Sequence, residues 1–198
     1  LSLSEDGSDP IFDWFAPSQG GRYVLYPLER QPVPDGMEIR FYQEYSTECQ
    51  AVICKQTLTG YQNQEIVEVP EGVYAIAPED KTVSAGKLEI PASVMEINLP
   101  AQGVREKYEV SPENNSYSSA DGLLYNKSQT EILGVPWEQT ELVIPENVEK
   151  VVLEKGNSVR KLIIQTETIP EIDLNTLENT EIIVPAGHYA AYQLAWGA

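Results

Sequence analysis

Leu88-Glu89-Ile90-Pro91-Ala92-Ser93-Val94-Met95-Glu96-Ile97 carries the pattern on which the fold turns: apolar, any residue, apolar, Pro, then apolar residues three and six positions later. Leu88 and Ile90 lie on one side of an extended strand while Glu89 points to water. Pro91 has no amide to donate, so it stops the ladder and turns the chain out of the sheet. Val94 and Ile97 then return to close the core behind the strand. The same form recurs at Val67-Glu68-Val69-Pro70 with Val73 and Ile76, and at Leu142-Val143-Ile144-Pro145 with Val148 and Val151. Ile182-Ile183-Val184-Pro185 shares the strand and the Pro. Tyr108-Glu109-Val110-Ser111-Pro112 and Leu133-Gly134-Val135-Pro136 are weaker copies. The Pro spacings are 21 residues from 70 to 91 and from 91 to 112, and 25 from 145 to 170. A period in the twenties belongs to solenoids, in which each unit gives a short strand and stacks on its neighbours. An ordinary β-sandwich whose strands end in Pro is the competing reading.

Outside the repeats the chain divides into three. Residues 1–10 are acidic, small and polar and read as a flexible tail. Residues 11–62 form a strand-rich segment or cap, with short runs at Tyr23–Tyr26, Ile39–Tyr42 and Ala51–Cys54 bounded by turn formers. Pro27–Gly36 holds three Pro and must be a loop, and Trp14, between Phe12 and Phe15, serves as an anchor for this segment. Residues 63–198 hold the repeats, with a hairpin inserted at 114–136.

The most specific stretch is Asn114-Asn115-Ser116-Tyr117-Ser118-Ser119-Ala120-Asp121-Gly122-Leu123-Leu124-Tyr125-Asn126-Lys127, continued by Thr130, Leu133 and Pro136 and then by Ile144-Pro145-Glu146-Asn147-Val148. It resembles the BspA-like leucine-rich repeat proteins of bacterial surfaces, in which such a hairpin sits between two repeats. The ending Ile183–Trp196 is similar to that family's final strand and capping helix, and Ala51 to Pro70 is similar to its opening strand and turn. The resemblance implies a mainly β chain: a short, degenerate leucine-rich-repeat solenoid with an N-terminal strand-rich cap and a C-terminal capping helix. The family's segment of small residue and buried Phe behind each strand has no counterpart, since Phe stands only at 12, 15 and 41. An irregular convex side follows from that.

The formal charge is −18, with −5 over residues 1–60 and −13 over 61–198. No Lys/Arg cluster exceeds the pair Arg160-Lys161, which argues against nucleic acid and against an anionic membrane surface. The longest uncharged stretch, Ile182–Ala198, contains Pro185, Gly187 and Gln193 and is too short to span a bilayer. No basic start followed by an apolar run opens the chain, so a secretory signal is either absent or removed, and no wall-sorting motif is visible. Cys49 and Cys54 stand five apart on what reads as a strand, which separates them by about 17 Å and predicts two free thiols.

Candidate sites are few. Asp121-Gly122 with Glu113, Asn114 and Asn115 could supply oxygen ligands to a cation, but the pair reads better as a β-turn. Glu5, Asp6, Ser8 and Asp9 around Gly7 begin like a calcium loop and lack its closing Glu. His188, the one His, reads as an exposed turn residue before the last helix. Tyr117 and Tyr125 are expected to pack across the hairpin. Trp137 either stacks on a sugar ring or plugs the side of the solenoid. No nucleophile elbow, phosphate loop or dinucleotide fingerprint occurs, so no catalysis, metal or cofactor is expected. The resemblance implies an extracellular or cell-surface module that adheres to host or other-cell proteins; a structural spacer of a larger surface protein and a glycan-binding module are the alternatives.

Overall fold

The structure is a computed structural model and describes residues 33–46 and 51–197. The expectations for the tail, for Trp14, for the Tyr23–Tyr26 strand, for the loop up to residue 32, for the Glu5–Asp9 segment and for Cys49 lie outside the described residues.

Strands β1 (Met37–Ser46) and β2 (Ala51–Tyr61) pair antiparallel, Ser46 opposite Ala51. After them come β3 (Gln64–Glu68), β4 (Ala75–Ile76), β5 (Ala85–Ile90), β6 (Glu96–Ile97) and β7 (Val104–Val110). An antiparallel hairpin, β8 (Tyr117–Ala120) and β9 (Leu123–Asn126), interrupts the series. The series resumes with β10 (Glu131–Gly134), β11 (Glu141–Ile144), β12 (Lys150–Val151), β13 (Lys161–Ile164), β14 (Glu171–Ile172) and β15 (Glu181–Ile183), and closes on helix α1 (Tyr189–Trp196).

The parallel pairings wind this chain into a β-solenoid of six turns, each giving one strand to a short wall and the next to a long wall. In the first array the short wall is β2-β4-β6 and the long wall β3-β5-β7; in the second they are β10-β12-β14 and β11-β13-β15. Since β2 pairs in parallel with β4, it already belongs to the solenoid, and β1 lies on its outer edge. The convex side expected to be irregular is instead a ladder of two-residue strands, Ala75-Ile76 opposite Glu96-Ile97 and Lys150-Val151 opposite Glu171-Ile172. Ile76 and Val151 from that ladder are buried, so these short strands close the core behind the long wall without a Phe.

The repeat pattern places the core as the alternation dictates. Val67, Leu88, Ile90, Val73 and Val94 in the first array, and Leu142, Ile144, Leu162 and Val148 in the second, are at most 2% exposed. Each such side chain contributes roughly 1.5–3 kcal/mol of transfer free energy. The Pro opens a four-residue turn in which the fourth amide donates to the first carbonyl: Val73 to Pro70 at 3.3 Å, Val148 to Pro145 at 3.1 Å and His188 to Pro185 at 3.1 Å.

The register differs from the Pro spacing. Ile90 lies opposite Val110 and Ile144 opposite Ile164, so Ser111 and Gln165, rather than Pro112 and Pro170, occupy the Pro slot. The residues that replace Pro have an amide, and each uses it: Ser111 donates to the Ile90 carbonyl at 2.8 Å and Gln165 to the Ile144 carbonyl at 2.9 Å.

The hairpin is a two-sided wedge between the arrays. Asp121 and Gly122 have φ of +51° and +80°, both positive, as a type I′ two-residue loop between Ala120 and Leu123 requires. Tyr117 pairs with Asn126 and Ser118 with Tyr125, so the two tyrosines face opposite ways instead of packing on each other. Tyr117 and Leu124 join the first core, while Leu123 and Tyr125 join the second. The hairpin turn also covers the free edge of β7, where the Tyr108 amide donates to the Gly122 carbonyl at 2.9 Å.

Candidate functional site

Inserting the hairpin parts the two arrays and leaves a cleft of about 380 Å³ at their junction. One side is Ile97 at the end of β6 and the loop after it as far as Gln102; the other is formed by Leu133–Val135 with Trp137 and by the loop after β12, from Val152 to Asn157. Tyr108, Tyr117 and Leu124 form the remaining lining.

Three features fix this geometry. Trp137 is half-buried, and its amide donates to the Val104 carbonyl at 3.0 Å while the Glu138 amide reaches Arg105 at 3.1 Å. These bonds tie the second array to β7 and hold the indole in place. Gly134 lies against the Tyr108 ring: a Cβ built there would stand 3.0 Å from both Cζ and the hydroxyl oxygen. Asn157 ties the far loop down, donating to the Glu154 carbonyl at 2.8 Å and to Thr176 at 2.9 Å while accepting from the Val159 amide at 3.0 Å.

Polar groups in the cleft differ in how they are satisfied. The Tyr117 hydroxyl donates to the Met95 carbonyl at 3.2 Å. Tyr108 is 8% exposed; its hydroxyl has no hydrogen-bond partner among the described residues and keeps access to solvent. Burial pushes that hydroxyl far above the usual phenol range, so it is a neutral donor and acceptor. The Trp137 indole N–H is likewise unbonded among the described residues. Glu154 and Lys155 put one charge of each sign on the lining.

Of the other candidates, Asn114 is fully buried and takes the slot that Val73, Val94 and Val148 fill in neighbouring turns. Its Nδ2 donates to the Pro91 and Val94 carbonyls at 2.8 and 2.9 Å, and its Oδ1 accepts from the Ser116 and Tyr117 amides at 2.8 Å each. Every hydrogen-bonding capacity is engaged in holding turns together, which leaves no oxygen directed at a cation. Among the described residues no three His, Cys, Asp or Glu side chains gather as a metal site. His188 is half-exposed at the N-terminus of α1, with Nδ1 3.3 Å from the Ala186 carbonyl. Cys54 lies on β2, opposite Gln43.

The outer faces of the long walls offer a second kind of surface. In the first array Glu68, Glu89 and Glu109 stand in register; Lys87 pairs with Glu89 and, at 3.0 Å, with Glu109. The Glu109 carboxyl is held below the usual range, chiefly by its hydrogen bond from Lys87. The corresponding row in the second array is Val143, Ile163 and Ile183, beside Glu141, Lys161 and Glu181. Val143 and Ile183 are 37% and 40% exposed, so an aliphatic stripe lies open next to a charged one. Sequence reading pointed to Trp137 but not to this stripe or to Tyr108: alternation alone turns Val143 outward, but only the pairing of strands about 20 residues apart sets Val143, Ile163 and Ile183 in one row.

No family profile matches the chain, and no curated protein matches it. Solved structures similar to it include a leucine-rich repeat protein from Eubacterium ventriosum, 22% identical with a TM-score of 0.40, over 62% of this chain and 38% of that one. The pneumococcal vaccine antigen PcpA is 16% identical with a TM-score of 0.37, over 63% of this chain and 36% of its own. A leucine rich cell surface protein from Faecalibacterium prausnitzii is 16% identical with a TM-score of 0.37, over 80% of this chain and 42% of its own. The matches thus span under half the length of each of these proteins. Among the described residues no helix is long and apolar enough to cross a membrane.

Proposed function

We propose that the chain is a non-catalytic interaction module of the BspA-like leucine-rich-repeat type, acting outside the cell or at its surface, that adheres to a host or other-cell protein. The observation carrying this reading is the open row Val143–Ile163–Ile183 on the outer face of the second long wall. An apolar stripe rimmed by charge on a rigid sheet has the composition of a protein-binding surface. The charge of −18 directs such a surface toward basic or neutral partners. Their attraction weakens as the Debye length falls from about 10 Å at 0.1 M salt to about 3 Å at 1 M. The resemblance of the 114–136 hairpin and of the ending to the BspA-like family supports the location at the cell surface.

The test is binding to a panel of immobilised extracellular-matrix and cell-surface proteins at low and high salt, with the native chain and with Val143→Gln/Ile183→Gln. Both side chains face outward, so the double variant should keep its melting temperature. Binding that is salt-sensitive and drops at least tenfold in the variant is the expected result. Binding indifferent to the substitutions, or none across the panel, overturns the reading and leaves a structural spacer in its place.

A further inference from the structure

We infer that the junction cleft is a binding site for an uncharged saccharide, whose ring stacks on Trp137 and whose hydroxyl groups pair with the Tyr108 hydroxyl. The inference stands apart from the protein-binding reading, which uses the outer face of a different wall.

Four observations carry it. A volume of about 380 Å³ falls within the range of small-molecule sites. The Tyr108 hydroxyl is the second observation. The residue is only 8% exposed, and its hydroxyl, without a partner among the described residues, is not among the buried polar atoms, so it opens to solvent on the side of the cleft it lines and is free to pair with a ligand there. Trp137 supplies an aromatic surface on the same cleft, with its indole N–H unbonded there. Finally, the side-chain amides of Asn98 and Gln102 line the cleft and make no hydrogen bond among the described residues, while Glu154 and Lys155 leave the lining with no net charge. Aromatic surface combined with neutral donors and acceptors matches a sugar, which has apolar C–H faces and a rim of hydroxyls. A phosphate or a carboxylate would find one lysine and no guanidinium.

Tyr108→Phe separates ligand binding from architecture. It deletes one oxygen and keeps the ring that packs on Gly134; because the hydroxyl has no protein partner, the melting temperature should hold or rise. Trp137→Ala removes the stacking surface. Binding is measured by calorimetry and by tryptophan fluorescence against a panel of neutral mono- and oligosaccharides of plant, mucin and bacterial-wall origin. The expected result is binding of a neutral saccharide that survives high salt, is abolished in Trp137→Ala and falls about tenfold, equivalent to about 1.4 kcal/mol, in Tyr108→Phe. No binding of any neutral sugar by the folded native chain overturns the inference. So does binding that is unchanged in both variants, or a loss in Tyr108→Phe that follows a lowered melting temperature. Failure here leaves the protein-binding reading intact, since Val143 and Ile183 are untouched in both variants.

Discussion

Gly122 concentrates two constraints on one Cα. Its φ of +80° lies where side chains with a Cβ are strained, and a Cβ there would come within 3.1 Å of the Lys107 Cβ on β7. Gly122→Val should therefore cost more than about 1 kcal/mol, read as a lower urea midpoint at unchanged m-value. An unchanged midpoint would show that the hairpin turn can move away from β7 without loss. The Asp-Gly pair is legible in the sequence because type I′ geometry selects those residues. Its proximity to Lys107 is not, since a contact between a turn and a strand 15 positions earlier depends on the solenoid having already wound. Asn114 illustrates the same limit. A polar residue beside Asp121 reads as a possible ligand, whereas the fold places it in a valine slot and engages its amide with four backbone groups. Tyr108, the polar group on which the saccharide inference rests, gave no sequence signal either. Nothing in Tyr-Glu-Val marks a hydroxyl that opens onto a cleft without a protein partner.

At the scale of the element, Pro gives the repeat its visible period and also disguises the register. Counting from Pro to Pro assigns 25 residues to the step after Pro145, but the strand step from Ile144 to Ile164 is 20. The residue in the Pro slot there is Gln165, whose amide donates to Ile144 at 2.9 Å. Gln165→Pro would make the sequence more repetitive and the protein less stable, by about 1 kcal/mol or more, because it deletes that donor and leaves the carbonyl unpaired. Thermal denaturation of the variant checks this; a raised melting temperature would mean that the φ restriction of Pro outweighs the lost bond. The strands themselves were legible because alternation survives every such exchange: Leu162 and Ile164 are buried whether or not Pro follows. The short-wall strands were not, since two residues are too few to show a period. The missing Phe segment suggested an irregular convex side, where Ile76 and Val151 in two-residue strands suffice to close the core.

Across the whole molecule, the two arrays and the hairpin between them enclose tyrosines whose protonation must follow folding. Burial raises the Tyr61 hydroxyl to about 12 and pushes Tyr108 higher still, the latter also through its proximity to Tyr61. In the unfolded chain both ionise near pH ~10. The folded state thus keeps protons that the unfolded state releases, so this part of the stability is complete below pH ~10 and is lost as pH rises through the folded values. The paired lysines add in the same direction: Glu89 and then Glu109 raise Lys87, and Glu141 raises Lys161, so their contributions also fade as the pH climbs. The repulsion of a chain already at −18 grows over the same interval. Salt separates these causes, because it screens exposed pairs and net charge but not the desolvation of a buried phenol. Denaturant midpoints should be level from neutral pH to about 9.5 and fall steeply above pH ~10, with a slope that high salt reduces only in part. Tyr108→Phe should flatten the salt-resistant part and leave the neutral-pH midpoint no lower than that of the native chain. A slope abolished by salt, or unaltered in Tyr108→Phe, would assign the alkaline limit to surface charge and remove Tyr108 from it.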